Sequence, residues 1–161
     1  MKISDYNHCV DQFADAVYRF ILKNIKVEDR ARDVVQDSFM KMWEKRKEID
    51  ATKAKSYLFT TAYHCMIDVI RREKKVLYKN ELPLVENPTK NQAHDVQSIL
   101  NLALEQLPDI QKNVVLLRDY EGYSYEEIGE ICKLNASQVK VYIYRARASL
   151  KKFIGNPEMV I

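Results

Sequence analysis

Between Lys133 and Lys152 the chain carries six lysines and arginines and no carboxylate, interleaved with Ser137, Gln138, Val141, Tyr142 and Tyr144. Cations of this kind neutralise phosphates, while amides, hydroxyls and small apolar groups read base edges in the major groove. The preceding residues, 96–132, hold seven acidic and two basic side chains, so the positive charge is a local block beside an acidic scaffold. The competing reading is an ordinary solvated helix face, and charge alone does not separate the two. Covalent or metal chemistry finds no support. Cys9, Cys65 and Cys132 are an odd number, far apart and without C-x-x-C spacing, which fits buried thiols in a reducing compartment. His8-Cys9 and His64-Cys65 are sequence neighbours, and neighbours point about 100° apart on a helix, so neither pair makes a dyad or a clamp. No catalytic residue, metal site or cofactor is expected.

These groups need helices to position them, and the composition favours helices. Three glycines and four prolines among 161 residues argue against a turn-rich β protein, and 47% hydrophobic with 30% charged residues is the balance of a folded chain. No run approaches the roughly 18 apolar residues of a membrane span, and the amino-terminus lacks a signal-peptide core, so a cytoplasmic protein without membrane insertion is expected. Apolar spacing predicts helices over 7–24 (Val10, Phe13, Ala14, Val17, Phe20, Ile21), 28–47 (Ala31, Val34, Val35, Phe39, Met42, Trp43) and 52–79 (Tyr57, Leu58, Ala62, Cys65, Met66, Val69, Ile70). Thr52 is the expected cap of the third. Residues 80–95, with Pro83 and Pro88, break the periodicity and read as a linker. Further helices are predicted over 96–107, 109–121, 124–133 and 136–154, the first ended by Leu107-Pro108. The fold class is therefore all-α: two small helical domains, 1–79 and 96–161, joined by a linker at 80–95.

The segment Tyr125–Lys140 has the layout of a helix-turn-helix. Ser124 with Glu127 forms a capping box, Gly129 sits where two helices cross closely, and Ile128, Cys132, Leu134, Val139 and Ile143 seat them together. Ser137 or Asn135 can cap the second helix, whose amino-terminal end would enter the major groove. The residues that this helix exposes are Ser137, Gln138, Lys140, Val141, Tyr142, Tyr144, Arg145 and Arg147. Leu107-Pro108, Val114-Val115-Leu116-Leu117, Tyr120 through Ile128, Val139-Lys140 and Arg145 through Leu150 closely resemble region four of bacterial sigma factors, the sigma-70 family. The resemblance implies that this domain binds the minus-thirty-five promoter element and the flap of the polymerase β subunit. Gln138 stands where threonine is common, and Val141-Tyr142 replace a usual Ser-Arg pair, which bears on the bases read. Lys133 occupies the usual turn glycine, a conformation glycine adopts easily and lysine does not.

The second helix, Ala31 through Trp43, resembles region two of the same family, where it docks on the clamp coiled coil of the β′ subunit. Asp33, Gln36, Asp37, Met40 and Trp43 can form a stripe at helical spacing that offers partners to a basic coiled coil. Val34, Phe39 and Trp43 have a plainer reading as core, which fits Phe39 best. The third helix, Tyr57 through Arg72, resembles the minus-ten recognition helix. Melted DNA needs stacking platforms beside cations, and Tyr63, His64, Arg71, Arg72, Lys74 and Lys75 supply both. His64 falls where the family usually has asparagine, and Asp68 is expected to partner an arginine. The short link between the halves points to the extracytoplasmic-function (ECF) group, which implies core RNA polymerase, promoter DNA and an anti-sigma factor as partners. A helix-turn-helix regulator independent of polymerase would leave the Asp33–Trp43 helix unexplained, and a small helical enzyme would need a convergent polar site that the sequence lacks.

Overall fold

A computed structural model describes residues 1–80 and 96–155. The chain divides into two compact units, Met1–Val85 and Glu86–Ile161. All secondary structure among the described residues is helical. Apart from Asn80, which closes the third helix, the expected linker at 80–95 lies outside the described residues.

The first unit is a three-helix bundle: α1 (Ile3–Ile25), α2 (Glu28–Lys45) and α3 (Ala54–Asn80). Each helix buries one stripe because its apolar residues recur every three or four positions. From α1 come Cys9, Val17, Phe20 and Ile21; from α2, Ala31, Val34, Ser38, Phe39 and Met42; from α3, Leu58, Phe59, Ala62, Tyr63 and Met66. Phe13 meets Lys55 and Phe20 meets Phe59, so α1 and α3 run parallel. Lys41 meets Cys65 and Arg30 meets Glu73, so α2 runs antiparallel to α3. The one buried hydroxyl in this stripe, Ser38, donates to Val34 O at 2.7 Å and so does not enter the core unsatisfied. Burying each of the large side chains stabilises the bundle by about 1.5–3 kcal/mol.

Two helix starts in this unit differ from the sequence reading. α1 begins four residues earlier than the apolar stripe indicated, because the Asp5 carboxylate accepts from Lys2 N at 3.0 Å and closes the first turn. Asp50, not Thr52, caps the entry to α3: its carboxylate accepts from Thr52 N at 3.0 Å and Thr52 Oγ1 at 2.9 Å. These bonds from Thr52 hold the Asp50 carboxyl below its ordinary pKa. A short 3₁₀ turn, Ala51–Lys53, then leads into α3.

The second unit contains α4 (Val96–Glu105), α5 (Asp109–Val115), a π-helical turn (Leu116–Tyr120), α6 (Tyr125–Cys132) and α7 (Ala136–Ile154). Asn113 through Leu117 are all buried, so α5 is the central post of this unit. The helix predicted over 109–121 changes pitch at its end: Glu121 N donates to Leu116 O at 3.1 Å, five residues back. Four consecutive apolar residues, Val114–Leu117, have no period that would betray the wider turn. Gly122, at φ 76°, then reverses the chain into α6.

Two capping boxes start the paired helices α6 and α7. Ser124 Oγ accepts from Glu127 N while Glu127 Oε1 accepts from Ser124 N, both at 3.1 Å. Asn135 Oδ1 accepts from Gln138 N at 2.8 Å and Gln138 Oε1 from Asn135 N at 3.0 Å, which decides for Asn135 over Ser137. Between them Lys133 adopts the left-handed conformation at φ 56°, and Leu134 N donates to Gly129 O at 2.9 Å. A Cβ on Gly129 would meet the Leu134 carbonyl oxygen at 2.7 Å, so this position admits only glycine without a shift of backbone.

The left-handed turn yields a direct test. Lys133 is exposed and its side chain is not needed for packing, so Lys133→Gly relieves the strain of a Cβ in that conformation. Urea denaturation should show a gain of about 0.5–1 kcal/mol, whereas Gly129→Ala should lose stability. A loss for Lys133→Gly would contradict the turn geometry.

Candidate functional site

The stripe on α2 is displayed as a surface. Asp33, Gln36, Asp37 and Met40 are exposed, on the face opposite Ala31, Val34, Ser38 and Met42. Phe39 lies in the core at 8% exposure, as the packing reading had it, but Trp43 is 37% exposed. Its indole is fixed on both sides. The Arg46 guanidinium lies 3.9 Å from the ring centroid and the Tyr6 ring packs edge-on at 4.9 Å. Arg46 also donates to Trp43 O at 2.9 Å, and Tyr6 Oη to Phe39 O at 3.1 Å. The result is a rigid aromatic anchor at one end of an acidic row.

On α3 the expected residues divide. Arg71, Arg72, Lys74 and Lys75 are exposed. Asp68 accepts from Arg71 Nη2 at 3.0 Å, the structural partnership its spacing implied. Tyr63 departs from expectation: it is 7% exposed, with its ring in the core and edge-on to His64 at 5.4 Å. It orients the imidazole rather than offering a stacking face. His64 is half-buried on the wall of a cleft of about 430 Å³ between α2 and α3, shared with Lys41, Tyr57, Thr60 and Thr61. Sequence reading missed these neighbours, since Lys41 belongs to another helix and the others lie one or two turns ahead of His64. Lys41 Nζ donates to Cys65 Sγ at 3.3 Å across the cleft floor.

On α7 the expected residues Ser137, Gln138, Lys140, Val141, Tyr144 and Arg145 are exposed and Tyr142 half-buried, while Val139, Ile143 and Ala146 face the core. Gln138 is part of the capping box through Oε1, so its NH₂ is the group left for another molecule. Arg147 is committed within the chain. It grips Asp119 through two bonds, 2.6 Å from Nη2 and 3.2 Å from Nε, and the carboxylate raises its proton affinity further. Arg147 therefore ties α7 to the end of the π turn, a positioning role within the chain. All three cysteines are buried thiols, and burial pushes the Cys9 thiol above its ordinary pKa. Among the described residues there is no group of three His, Cys, Asp or Glu side chains that would hold a metal, and no helix long and apolar enough to cross a membrane.

The family model described as Sigma-70 region 2 matches residues 9–76, and that described as Sigma-70, region 4 matches 97–150. The ECF RNA polymerase sigma factor SigM of Bacillus subtilis is 30% identical over 86% of this chain and 88% of its own length. The chain belongs to the ECF group of the sigma-70 family. The RNA polymerase sigma factor SigV of the same organism is 28% identical over 86% of this chain and 84% of its own. Two solved structures share the fold. The sigma factor RpoE of Bartonella quintana, in complex with the anti-sigma factor NepR, superposes with a TM-score of 0.80 at 24% identity, covering 96% of this chain and 99% of that one. CnrH, in complex with the cytosolic domain of CnrY, gives 0.69 at 20% identity, covering 94% and 88%. The family model over the first unit removes the polymerase-independent regulator as a reading, since the Asp33–Trp43 helix lies within region 2.

The Arg147–Asp119 latch is measurable in this sigma factor. The two side chains are 48% and 40% exposed, so screening limits the pair despite its two-pronged geometry. A double-mutant cycle with Arg147→Ala and Asp119→Ala should return a coupling of about 0.5–1 kcal/mol. A coupling indistinguishable from zero would remove Arg147 from the positioning role.

Proposed function

We propose that this sigma factor binds core RNA polymerase through α2 and directs it to promoters by reading two DNA elements, one with each unit. The docking surface is Asp33, Gln36, Asp37, Met40 and Trp43, set against the clamp coiled coil of the β′ subunit, with the second unit on the β flap. The observation that carries this is the display of the acidic stripe beside an immobilised tryptophan, on the face of α2 that the bundle leaves uncovered. Buried hot spots in interfaces are typically aromatic residues that lose little freedom on binding. Initiation factors of this kind add specificity to the polymerase's chemistry and perform none themselves, so the protein is a non-catalytic cytoplasmic subunit.

The minus-ten element, once melted, is read at the His64 cleft, with Arg71, Arg72, Lys74 and Lys75 along the backbone. Tyr63 acts there only through the orientation of His64. The minus-thirty-five duplex is read by Ser137, Gln138, Lys140, Val141, Tyr142, Tyr144 and Arg145. With its carbonyl held by Asn135, Gln138 presents a donor, which suits an acceptor-bearing base edge such as guanine N7 or O6. An anti-sigma factor is proposed as a further partner, in keeping with the NepR complex of the Bartonella relative.

Trp43 is the sole tryptophan of the chain, so biosynthetic 5-hydroxytryptophan at this one position gives a probe that can be excited apart from the polymerase's own tryptophans. Titration with core polymerase should perturb its emission, and gel filtration should show a one-to-one complex. Replacing Asp37 and Met40 together by alanine should weaken binding about tenfold or more and leave thermal stability unchanged, because both side chains are exposed. Co-elution of the double variant with undiminished affinity would place the polymerase contact elsewhere.

A further inference from the structure

The last turns of α3 outrun the bundle. α2 begins at Glu28, and its Arg30 is already paired with Glu73, so α3 from Val76 onward extends past the start of its neighbour. Val76 and Tyr78 are accordingly 53% and 91% exposed. Around the helix, Arg71, Lys74, Lys75 and Tyr78 follow the i, i+3, i+4, i+7 spacing of a single face. Glu73, which anchors this stretch to α2, lies about 150° round the helix from the centre of that face. The pairing of Glu73 with Arg30 therefore turns the cationic face away from the bundle. Asp68 pairs with Arg71 at 3.0 Å on this face, and the pair is exposed and therefore weak, so it yields readily to a phosphate.

We propose that Tyr78 is a stacking platform for an unpaired DNA base, held in register by the phosphate contacts of Arg71, Lys74 and Lys75. This rests on the reading of α3 as the helix that meets melted promoter DNA, and adds to it a residue that neither motif spacing nor the bundle core singles out. The dimensions agree. Seven residues of helix span about 10 Å, long enough for the three cations to meet successive phosphates of one strand on either side of a stacked base. The charge of the face selects the occupant: an apolar partner surface would have to desolvate three cations around one ring, whereas a nucleic-acid strand supplies an anion for each and a π-face for the tyrosine. Stacking of this kind discriminates little among bases. Tyr78 is thus a holding contact, distinct in kind from His64 in its cleft.

The experiment uses the full-length chain and fluorescence polarisation with two probes, a random-sequence 16-nucleotide single strand and the corresponding blunt duplex. Tyr78→Ala should weaken single-strand binding about tenfold and duplex binding less than twofold, while Tyr78→Phe should match the parent on both. At 91% exposure the substitution does not disturb packing, and an unchanged circular dichroism melt verifies this. Lys74→Ala with Lys75→Ala serves as the control and should weaken both probes and flatten the salt dependence. Parent-like single-strand binding by Tyr78→Ala, or an equal loss on both probes, overturns the stacking role while a positive lysine control leaves α3 as the DNA helix. If the lysine variant also binds like the parent, or the parent binds neither probe, the proposal falls together with that wider reading.

Discussion

A helix in a small bundle can bury only one stripe, and what it buries dictates what it shows. In α2 this constraint is decisive. Ala31, Val34, Ser38 and Met42 recur at helical spacing and go inward, so Asp33, Gln36, Asp37 and Met40 must go outward together. The exposed acidic row is thereby a consequence of the core: a register shift that moved these acids inward would bury carboxyls without partners, at a cost comparable to the stability of a small domain. The same coupling aims α3, whose buried Leu58, Ala62 and Met66 fix the orientation of His64 and of the cations beyond it.

In the second unit the positioning device is local. Gly129 lets the backbone of Leu134 approach within a distance that no Cβ tolerates, and Lys133 takes up a left-handed turn to bring α7 across α6. Capping boxes at Ser124 and Asn135 satisfy the donors at both helix starts, and the grip of Arg147 on Asp119 fixes the roll of α7. Gln138 sits at the intersection of these tasks. Its carbonyl holds the cap and its NH₂ is what the cap leaves over, so on the proposed reading helix initiation and base recognition share one side chain.

Helix existence, the two-unit division and the family were legible because they rest on periodicity, caps and motif order, which are properties of neighbours in sequence. Gly129, Lys133 and the Ser124–Glu127 box were visible for the same reason. What was not legible depended on distant contacts. Tyr63 has the chemistry of a stacking platform, and only the packing of α3 against its neighbours shows the ring to be buried. Arg147 reads only as a surface cation, and its pairing with Asp119, 28 residues away, is visible in the folded chain alone. The π turn at Leu116–Tyr120 is hidden in an unbroken apolar run, and Asp50 displaces Thr52 because the cap precedes a 3₁₀ turn rather than the α-helix itself.

On the proposed reading the two units carry the same kinds of side chain to DNA and differ in what state of DNA they read. On that reading the cleft beside half-buried His64 takes a base from an opened strand, and the exposed face of α7 meets the edges of intact pairs. The most direct test is a run-off transcription series with reconstituted polymerase on promoters altered one position at a time. Gln138→Ala should shift preference by about 1–3 kcal/mol per base pair at the upstream element alone, and His64→Ala should alter preference at the downstream element alone. If Gln138→Ala instead changed specificity at the downstream element, the assignment of one promoter element to each unit would be contradicted.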